Sequence, residues 1–149
     1  MTHDPSRLDG KLAIITGGGS GIGEATAHVF AQAGASVVVT GRRLEPLEKV
    51  AREVGGHAIA CDVSSQEDVR AMFAAALKIT GRVDILLNNA GGPGPIAPVA
   101  EVNMADWVTC MNINLVGAMC CLQEAAKIMG SQQAGSIINM SSLMGIQGY

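Results

Sequence analysis

The sequence predicts a single α/β domain with a parallel sheet, because short apolar segments alternate along the chain with segments of helical periodicity. A chain of 149 residues can bury one core and leaves little room for a second domain, so residues 1–149 are expected to form one unit. Five segments have the length and composition of buried strands. They are Leu12–Thr16, Ser36–Thr40, His57–Cys61, Asp84–Asn88 and Ser136–Met140.

The segments between these strands carry helix signals. Apolar residues recur at helical spacing over residues 44–54. Ser64 and Glu67 form a predicted capping box for a helix that Gly81 terminates. Residues 103–130 predict one long helix with very few charges, so we expect another element or another subunit to cover part of its surface.

Composition and charge exclude several classes of protein. Charged residues make up 15% of the chain and the net charge is −3, which predicts no basic surface for nucleic acid. Residues 1–7 are polar and lack the layout of a secretory signal, and apolar stretches such as residues 115–122 are too short to span a bilayer. We therefore expect a soluble, cytoplasmic protein without nucleic-acid or membrane partners.

The cysteines and histidines show no spacing typical of a metal site, so none is predicted. No Cys-x-x-Cys pair is present, and apolar neighbours favour buried thiols over disulfides for Cys61, Cys110, Cys120 and Cys121. His3, His28 and His57 are not spaced, relative to one another or to a carboxylate, in a way that indicates a metal site or a catalytic triad.

A glycine-rich loop, Thr16–Gly23, follows the first strand directly and leads into a helix. Gly17 allows a sharp turn, Gly21 leaves space for a pyrophosphate, and Gly23 allows close packing of the helix. The helix N-terminus then offers free N–H groups to the phosphates. A flexible glycine turn is the alternative, but the position in the first βα unit favours dinucleotide binding. The candidate cofactor residues of this loop are Gly17, Gly19, Ser20, Gly21, Ile22 and Gly23.

The spacing Gly-x-x-x-Gly-x-Gly resembles that of the short-chain dehydrogenase/reductase family. Three further motifs of that family follow in order, at Asn88–Gly91, Asn114–Gly117 and Gly135–Ser142. The resemblance implies a doubly wound, Rossmann-like sheet with strand order 3-2-1-4-5, lacking the family's last strands and helices. It also implies reversible hydride transfer between a nicotinamide and a small-molecule carbonyl or secondary alcohol, and it leaves the substrate open.

The end of the second strand favours NADP over NAD, which stays possible. Relatives that prefer NAD usually carry an acid there, whereas this chain continues from Thr40 into Gly41, Arg42 and Arg43. Guanidinium groups can bind a 2′-phosphate bidentately. Arg42 is the better candidate, since Arg43 could equally be a solvated charge on the next helix.

Two further segments correspond to cofactor positions of the family. Asp62 and Val63 resemble the adenine contact, although Asp62 could also cap the following helix. Asn89, Ala90 and Gly91 are expected to line the cofactor side of the sheet. The sequence favours neither of two roles for these three residues, support of the strand ends or direct contact with the cofactor.

The resemblance also implies catalytic residues. Members of the family use a tyrosine as acid/base, a lysine that lowers its pKa, a serine that binds the substrate oxygen and an asparagine that anchors a water relay. Ser142 matches the serine, with Ser141 or a plain turn at the strand end as alternatives. Asn114 matches the asparagine, with a core amide as the alternative.

The sequence contains no Tyr-x-x-x-Lys motif. Tyr149 lies too close to Ser142 to be the acid/base, and no lysine follows it. We therefore expect the isolated polypeptide to lack meaningful reductase activity, because a phenol with a pKa of about 10 needs a neighbouring cation to titrate near neutrality. The family's homo-oligomers form through the long helix and the next one, so oligomerisation of this chain alone is doubtful.

Two other functions remain open at this point. One is a noncatalytic NADP(H)-binding module or sensor that keeps the nucleotide site and lacks the proton donor. The other is a sugar-nucleotide epimerase or dehydratase, which fits poorly because those relatives usually carry a differently spaced glycine motif.

Overall fold

Five parallel strands form one sheet in the order β3-β2-β1-β4-β5, which confirms the predicted fold class and strand order. The computed structural model describes residue 4 and residues 6–145. Four of the five predicted strands shift by one residue at one end, an ordinary uncertainty of strand boundaries. The strands are β1 Leu12–Thr16, β2 Ser36–Gly41, β3 His57–Ala60, β4 Ile85–Asn88 and β5 Ser136–Asn139.

Helices pack on both faces of this sheet at β1, β2 and β4. The long helix predicted over residues 103–130 is observed as Met104–Gln132, with a six-residue π-helical segment inside it. Short 3-10 turns occur at Val99–Glu101 and Leu143–Gly145. The helices are α1 Gly21–Gln32, α2 Leu44–Val54, α3 Gln66–Thr80, α4 Met104–Met111, the π-helical segment Asn112–Gly117 and α5 Ala118–Gln132.

The prediction of the cap of α3 was wrong by one residue. The N-cap is Ser65, whose Oγ accepts a hydrogen bond from the backbone N–H of Asp68 at 3.2 Å and donates to its Oδ1 at 2.9 Å. Ser64 is unavailable for this role because its N–H and hydroxyl both donate to Asp62 Oδ1, at 3.0 and 2.7 Å. Asp62 therefore closes a local turn and does not cap the helix.

The core consists of two apolar layers, one on each face of the sheet. Alternate residues of a strand point to opposite faces, so Ile14 and Val38 pack with α3 and α5, while Ile15 and Val39 pack with α1 and α2. All four side chains are fully buried, and burial of each contributes about 1.5–3 kcal/mol. Burial on both faces explains why these strands are continuously apolar.

The long helix is unevenly covered in the part of the chain that the structure describes. Cys121, Ala125 and Met129 of α5 are buried against the sheet, whereas α4 contains no buried residue. By length and composition alone, Met104–Gln132 is apolar enough to cross a membrane, a property that core helices share. The expected cover over the apolar surface is therefore present for α5 and absent for α4.

The prediction of buried thiols holds for two of the four cysteines. Cys61 and Cys121 are buried, and burial raises the pKa of the Cys61 thiol to about 11 and that of Cys121 to about 12. Both thiols are therefore protonated and unreactive near neutrality. Cys110 and Cys120 are half-buried.

Candidate functional site

A cavity of about 460 Å³ lies at the carboxyl ends of the strands. The parallel register places Thr16 beside Thr40 and Gly41 beside Ala60, so these strand ends open to the same edge. The crevice lies where the strand order reverses beside β1, the position at which open α/β sheets bind ligands. Its lining residues are Gly17, Gly19, Ser20, Gly41, Arg42, Arg43, Pro46, Leu47, Cys61, Asp62, Val63, Ala90, Gly91 and Ile113.

The predicted cofactor residues divide into two groups. Most of them line this cavity directly. Four do not line it, namely Gly21, Ile22, Gly23 and Asn89. Sequence reasoning missed the other lining residues, which carry no motif signal, namely Gly41, Pro46, Leu47, Cys61 and Ile113.

The loop between β1 and α1 has the backbone shape of an anion cradle. Gly17 and Gly21 have φ angles of +65° and +56°, which residues with a side chain rarely adopt. A Cβ on Gly21 would meet no atom within 4 Å, so open space lies above the loop. Ser20 makes no side-chain cap bond, which leaves N–H groups at the positive end of α1 for an anion.

Gly23 and Asn89 support this loop from below. A Cβ on Gly23 would lie 2.3 Å from Gly17 O, so only glycine lets α1 approach the turn. Asn89 Nδ2 donates to the carbonyls of Thr16 and Gly17 at 3.0 and 3.3 Å. Thr16 Oγ1 accepts from the N–H groups of Asn89 and Ala90, each at 2.9 Å. Asn89 is therefore tied to the loop backbone, and its direct contact with a cofactor stays a prediction.

The opposite wall of the cavity carries the charged groups. Arg42 and Arg43 extend from the end of β2, and Asp62 follows β3. The hydroxyl and N–H of Ser64 hold the pKa of Asp62 below its usual value, with a further contribution from the Arg42 guanidinium. Asp62 is therefore ionised near neutrality and lies in the field of Arg42.

Asn114 lies in the π-helical segment and clamps the loop after β4. Its Oδ1 accepts from Gly92 N–H and its Nδ2 donates to Gly92 O, both at 3.1 Å. The same Nδ2 donates to Cys110 O at 2.9 Å and contacts Cys110 Sγ at 3.2 Å. The side-chain amide of Asn114 thus bonds to the main chain of Gly92 in the loop and of Cys110 one helical turn earlier. Asn114 is exposed, so it is not the buried core amide that was the alternative prediction.

A second cavity, of about 300 Å³, adjoins this clamp and is lined by Asn114, Cys110 and the loop residues Gly92–Pro95. Ile113 lines both cavities. Ser142 is exposed just beyond β5, where its carbonyl accepts from Gly145 N–H at 2.9 Å, and it lines neither cavity. Tyr149 lies outside the described residues.

One cluster of potential metal ligands escaped the sequence analysis. The ligand atoms of Glu24, His28 and Glu53 lie within 4.8 Å of one another on the outer surfaces of α1 and α2. Lys49 Nζ lies 3.8 Å from both carboxylates and supplies a positive charge. This arrangement has the character of a surface ion-pair network.

Comparison with known proteins identifies the fold family. A family model described as short chain dehydrogenase matches residues 11–149, nearly the entire chain. The chain belongs to the short-chain dehydrogenase family. The predicted family resemblance is thereby confirmed.

Individual members of the short-chain dehydrogenase family differ in what they act on. The chain is 38% identical to D-threitol dehydrogenase of Mycolicibacterium smegmatis over 141 residues, covering 91% of this chain and 54% of that protein. It is 33% identical to levodione reductase, and the two structures superpose with a TM-score of 0.93. The match covers 96% of this chain and 58% of levodione reductase. NAD⁺-bound xylitol dehydrogenase is 35% identical, with a TM-score of 0.89 and 56% coverage. The chain thus spans about half the length of these relatives.

Proposed function

We propose that this chain carries the cofactor-binding half of an NADP-preferring oxidoreductase, which transfers hydride between a nicotinamide and a small-molecule carbonyl or secondary alcohol. The observation that carries the proposal is the cavity itself. Its glycine loop lies at the N-terminus of α1, its two arginines lie at the end of β2, and Asp62 and Val63 close its far side. Membership of a family of dehydrogenases and reductases supports the reaction class.

The residues of the cavity fit a dinucleotide along its length. Backbone N–H groups at Ser20 and the first turn of α1 would hold the pyrophosphate. Asp62 would accept the adenine amino group, since its carboxylate is ionised, and Val63 would contact the ring. Ala90 and Gly91 would lie along the sugar and nicotinamide side.

The choice of NADP is supported by the charge at the end of β2. Thr40 is fully buried, Gly41 has no side chain, and neither offers a carboxylate to repel a 2′-phosphate. Arg42 and Arg43 both line the cavity, and the charge of Arg42 contributes to the lowered pKa of Asp62, which favours Arg42 as the phosphate ligand. The NAD⁺-bound xylitol dehydrogenase shows that NAD serves at least one relative, so NAD is the alternative cofactor.

Replacing Arg42 tests the cofactor preference. We expect wild type to bind NADPH more tightly than NADH, and Arg42→Ala to lose on the order of tenfold to a hundredfold of NADPH affinity while NADH affinity changes little. Titration of nicotinamide fluorescence measures both constants. Arg52→Ala is the matched control, because Arg52 lies in the last turn of α2 and does not line the cavity. Equal affinities for the two cofactors in wild type, or an unchanged ratio in Arg42→Ala, would reject the preference.

The chain's own residues account for part of the chemistry. The bound cofactor supplies the hydride. Ser142 would hydrogen-bond the substrate oxygen, and Asn114 would hold the loop that borders the nicotinamide end of the cavity. The 149 residues contain no Tyr-x-x-x-Lys pair to deliver a proton at that oxygen.

We therefore expect the isolated polypeptide to bind NADPH without turnover. Binding is measured by fluorescence, and turnover is measured separately at 340 nm, as NADPH oxidation with a panel of ketones and as NADP⁺ reduction with polyols and secondary alcohols. Turnover at an ordinary enzyme rate by the pure polypeptide would contradict this expectation. If a version extended through Tyr-x-x-x-Lys gains activity, the oxidoreductase proposal stands; if it binds NADPH and stays inactive, the chain is a noncatalytic NADP(H)-binding module.

The exposed apolar side chains of α4 support a further proposal, that a second copy of the protein covers them. Met104, Trp107 and Val108 are each between 46% and 65% exposed. Apolar patches of this kind mark interaction surfaces. A cytoplasmic location and the absence of nucleic-acid and membrane partners remain predictions from composition.

A further inference from the structure

The π-helical segment Asn112–Gly117 contacts both sides of the cofactor cavity. Asn114 begins the Asn-x-x-Gly motif and Gly117 ends it, yet the proposed reaction assigns a role only to Asn114. Ile113 of the same segment lines the cavity. The segment is therefore a wall of the cavity that is fixed at two points.

Gly117 forms the first of these points, against the strand end that carries the predicted adenine contact. It is buried, and a Cβ built on it would lie 2.8 Å from Val63 Cγ2, 2.9 Å from Val63 O and 3.0 Å from Val63 C. Real Cβ atoms essentially never approach other atoms below 3.0 Å. Two of the three atoms belong to the main chain, so a side-chain rotation cannot relieve the contact.

Asn114 forms the second point, on the loop after β4. Its two hydrogen bonds to Gly92 hold the loop, and a Cβ on Gly91 would lie 2.7 Å from Asn114 Oδ1, so a side chain there would displace the clamping amide. The helix is also tied to the sheet just after the segment, where Asn88 Nδ2 donates to Ala118 O at 3.0 Å. These contacts leave the segment little freedom to move independently of the cavity.

We propose that Gly117 is a positioning residue, and that the π-helical segment is a spacer that sets the width of the cofactor cavity between Val63 and Gly91. Contact of the main chain of Val63 with Gly117 fixes the adenine side, and the Asn114 clamp on Gly92 fixes the opposite side. A displacement at Gly117 is transmitted to the clamp because Gly117 and Asn114 lie three residues apart in the same helical segment, so the backbone of one cannot shift without the other. The inference rests on the proposed function in taking the occupant of the cavity to be a dinucleotide.

Two alanine variants of the same helix test the spacer. Gly117→Ala must push Val63 away, whereas Gly130→Ala meets nothing within 4 Å and should be neutral or slightly stabilising. We expect Gly117→Ala to weaken binding of 2′,5′-ADP, a probe of the adenine side, on the order of tenfold. We also expect it to accelerate hydrogen exchange of the Gly92 amide, which a disturbance confined to Val63 would leave unchanged.

The outcomes separate the spacer from the proposed function. Wild type that binds neither 2′,5′-ADP nor NADPH would reject the proposed function, and the Gly92 exchange rate would still decide whether the segment transmits the displacement. Gly117→Ala that binds 2′,5′-ADP as wild type does, or that leaves Gly92 exchange unchanged, would reject the spacer. Far-UV circular dichroism checks folding. If the single variant is unfolded, Asn114→Ala makes the test from the other end, because it removes the clamp on Gly92 and leaves Gly117 in place; unchanged binding of 2′,5′-ADP by this variant would reject the spacer.

Discussion

Asp84 shows how a single residue fixes the amino-terminal edge of the sheet, opposite the cavity. Its side chain is 4% exposed and accepts hydrogen bonds from Leu12 N–H at 3.0 Å and from Arg82 Nε at 2.9 Å, while Lys11 Nζ lies 3.4 Å away. Burial alone would raise the pKa of Asp84. The bonds from Arg82 and Leu12 and the nearby charges outweigh it, so its pKa lies below the ordinary value.

Acid should therefore destabilise the fold through Asp84. A carboxyl with a lowered pKa in the folded state stabilises the protein above its unfolded pKa of about 3.9, and this contribution disappears as the pH falls through the folded value. We expect Asp84→Asn to lose about 1.5–3 kcal/mol of unfolding free energy at neutral pH and less in acid. Urea unfolding from pH 7 to pH 2.5 measures the difference.

Asp9→Asn is the control for this prediction. Asp9 pairs with Arg7 at the surface, where solvent screens the interaction, so its replacement should change stability little. An Asp84→Asn penalty that stays constant down to pH 2.5 would contradict the assignment, because it would show that shape and not charge is lost.

Single residues also show what the sequence could and could not predict about the site. Arg42, Asp62 and Gly91 line one cavity, because the carboxyl ends of parallel strands meet at one edge, and their contacts with a cofactor stay a prediction. The choice between support and contact at Asn89 could not be made from sequence. It depends on whether the amide points to the loop carbonyls or to the cavity, and only the fold determines that direction.

At the scale of elements, the long helix was predicted and its π-helical segment was not. Residues 103–130 contain so few polar positions that an inserted residue leaves no visible break in the periodic pattern. The segment is recognisable only from contacts distant in sequence, at Val63 and Gly92. The prediction of the N-cap of α3 was wrong for a different reason, since two adjacent serines carry the same sequence signal.

The two serines give a direct test at the start of α3. Ser65→Ala removes the acceptor for Asp68 N–H and should cost about 1 kcal/mol of unfolding free energy. Ser64→Ala removes only an exposed bond to Asp62 and should cost less. Thermal and urea unfolding of the two variants measure the order. A larger loss for Ser64→Ala would restore the capping box predicted from the sequence.

At the scale of the whole molecule, the apolar surface is distributed asymmetrically. The sheet interior is covered on both faces by α1, α2, α3 and α5, whereas α4 and the π-helical segment expose Trp107, Val108, Leu115 and Val116. The alternation of apolar and helical segments predicted the parallel sheet and its helices, whereas the strand order was implied by the family resemblance. The sequence also indicated too few polar residues over 103–130, but it could not show which turn of the helix stays uncovered.

The proposed contact of a second copy with α4 can be tested at this scale. Val108 and Val29 are 50% and 60% exposed on different helices, so a lysine at either position disturbs no core. We expect Val108→Lys to weaken self-association on the order of tenfold or more, because the apolar contact would have to bury an unpaired charge, and Val29→Lys to have little effect. Sedimentation velocity over a concentration series measures the dissociation constant. Equal effects of the two variants would show that association depends on net charge and not on the surface of α4.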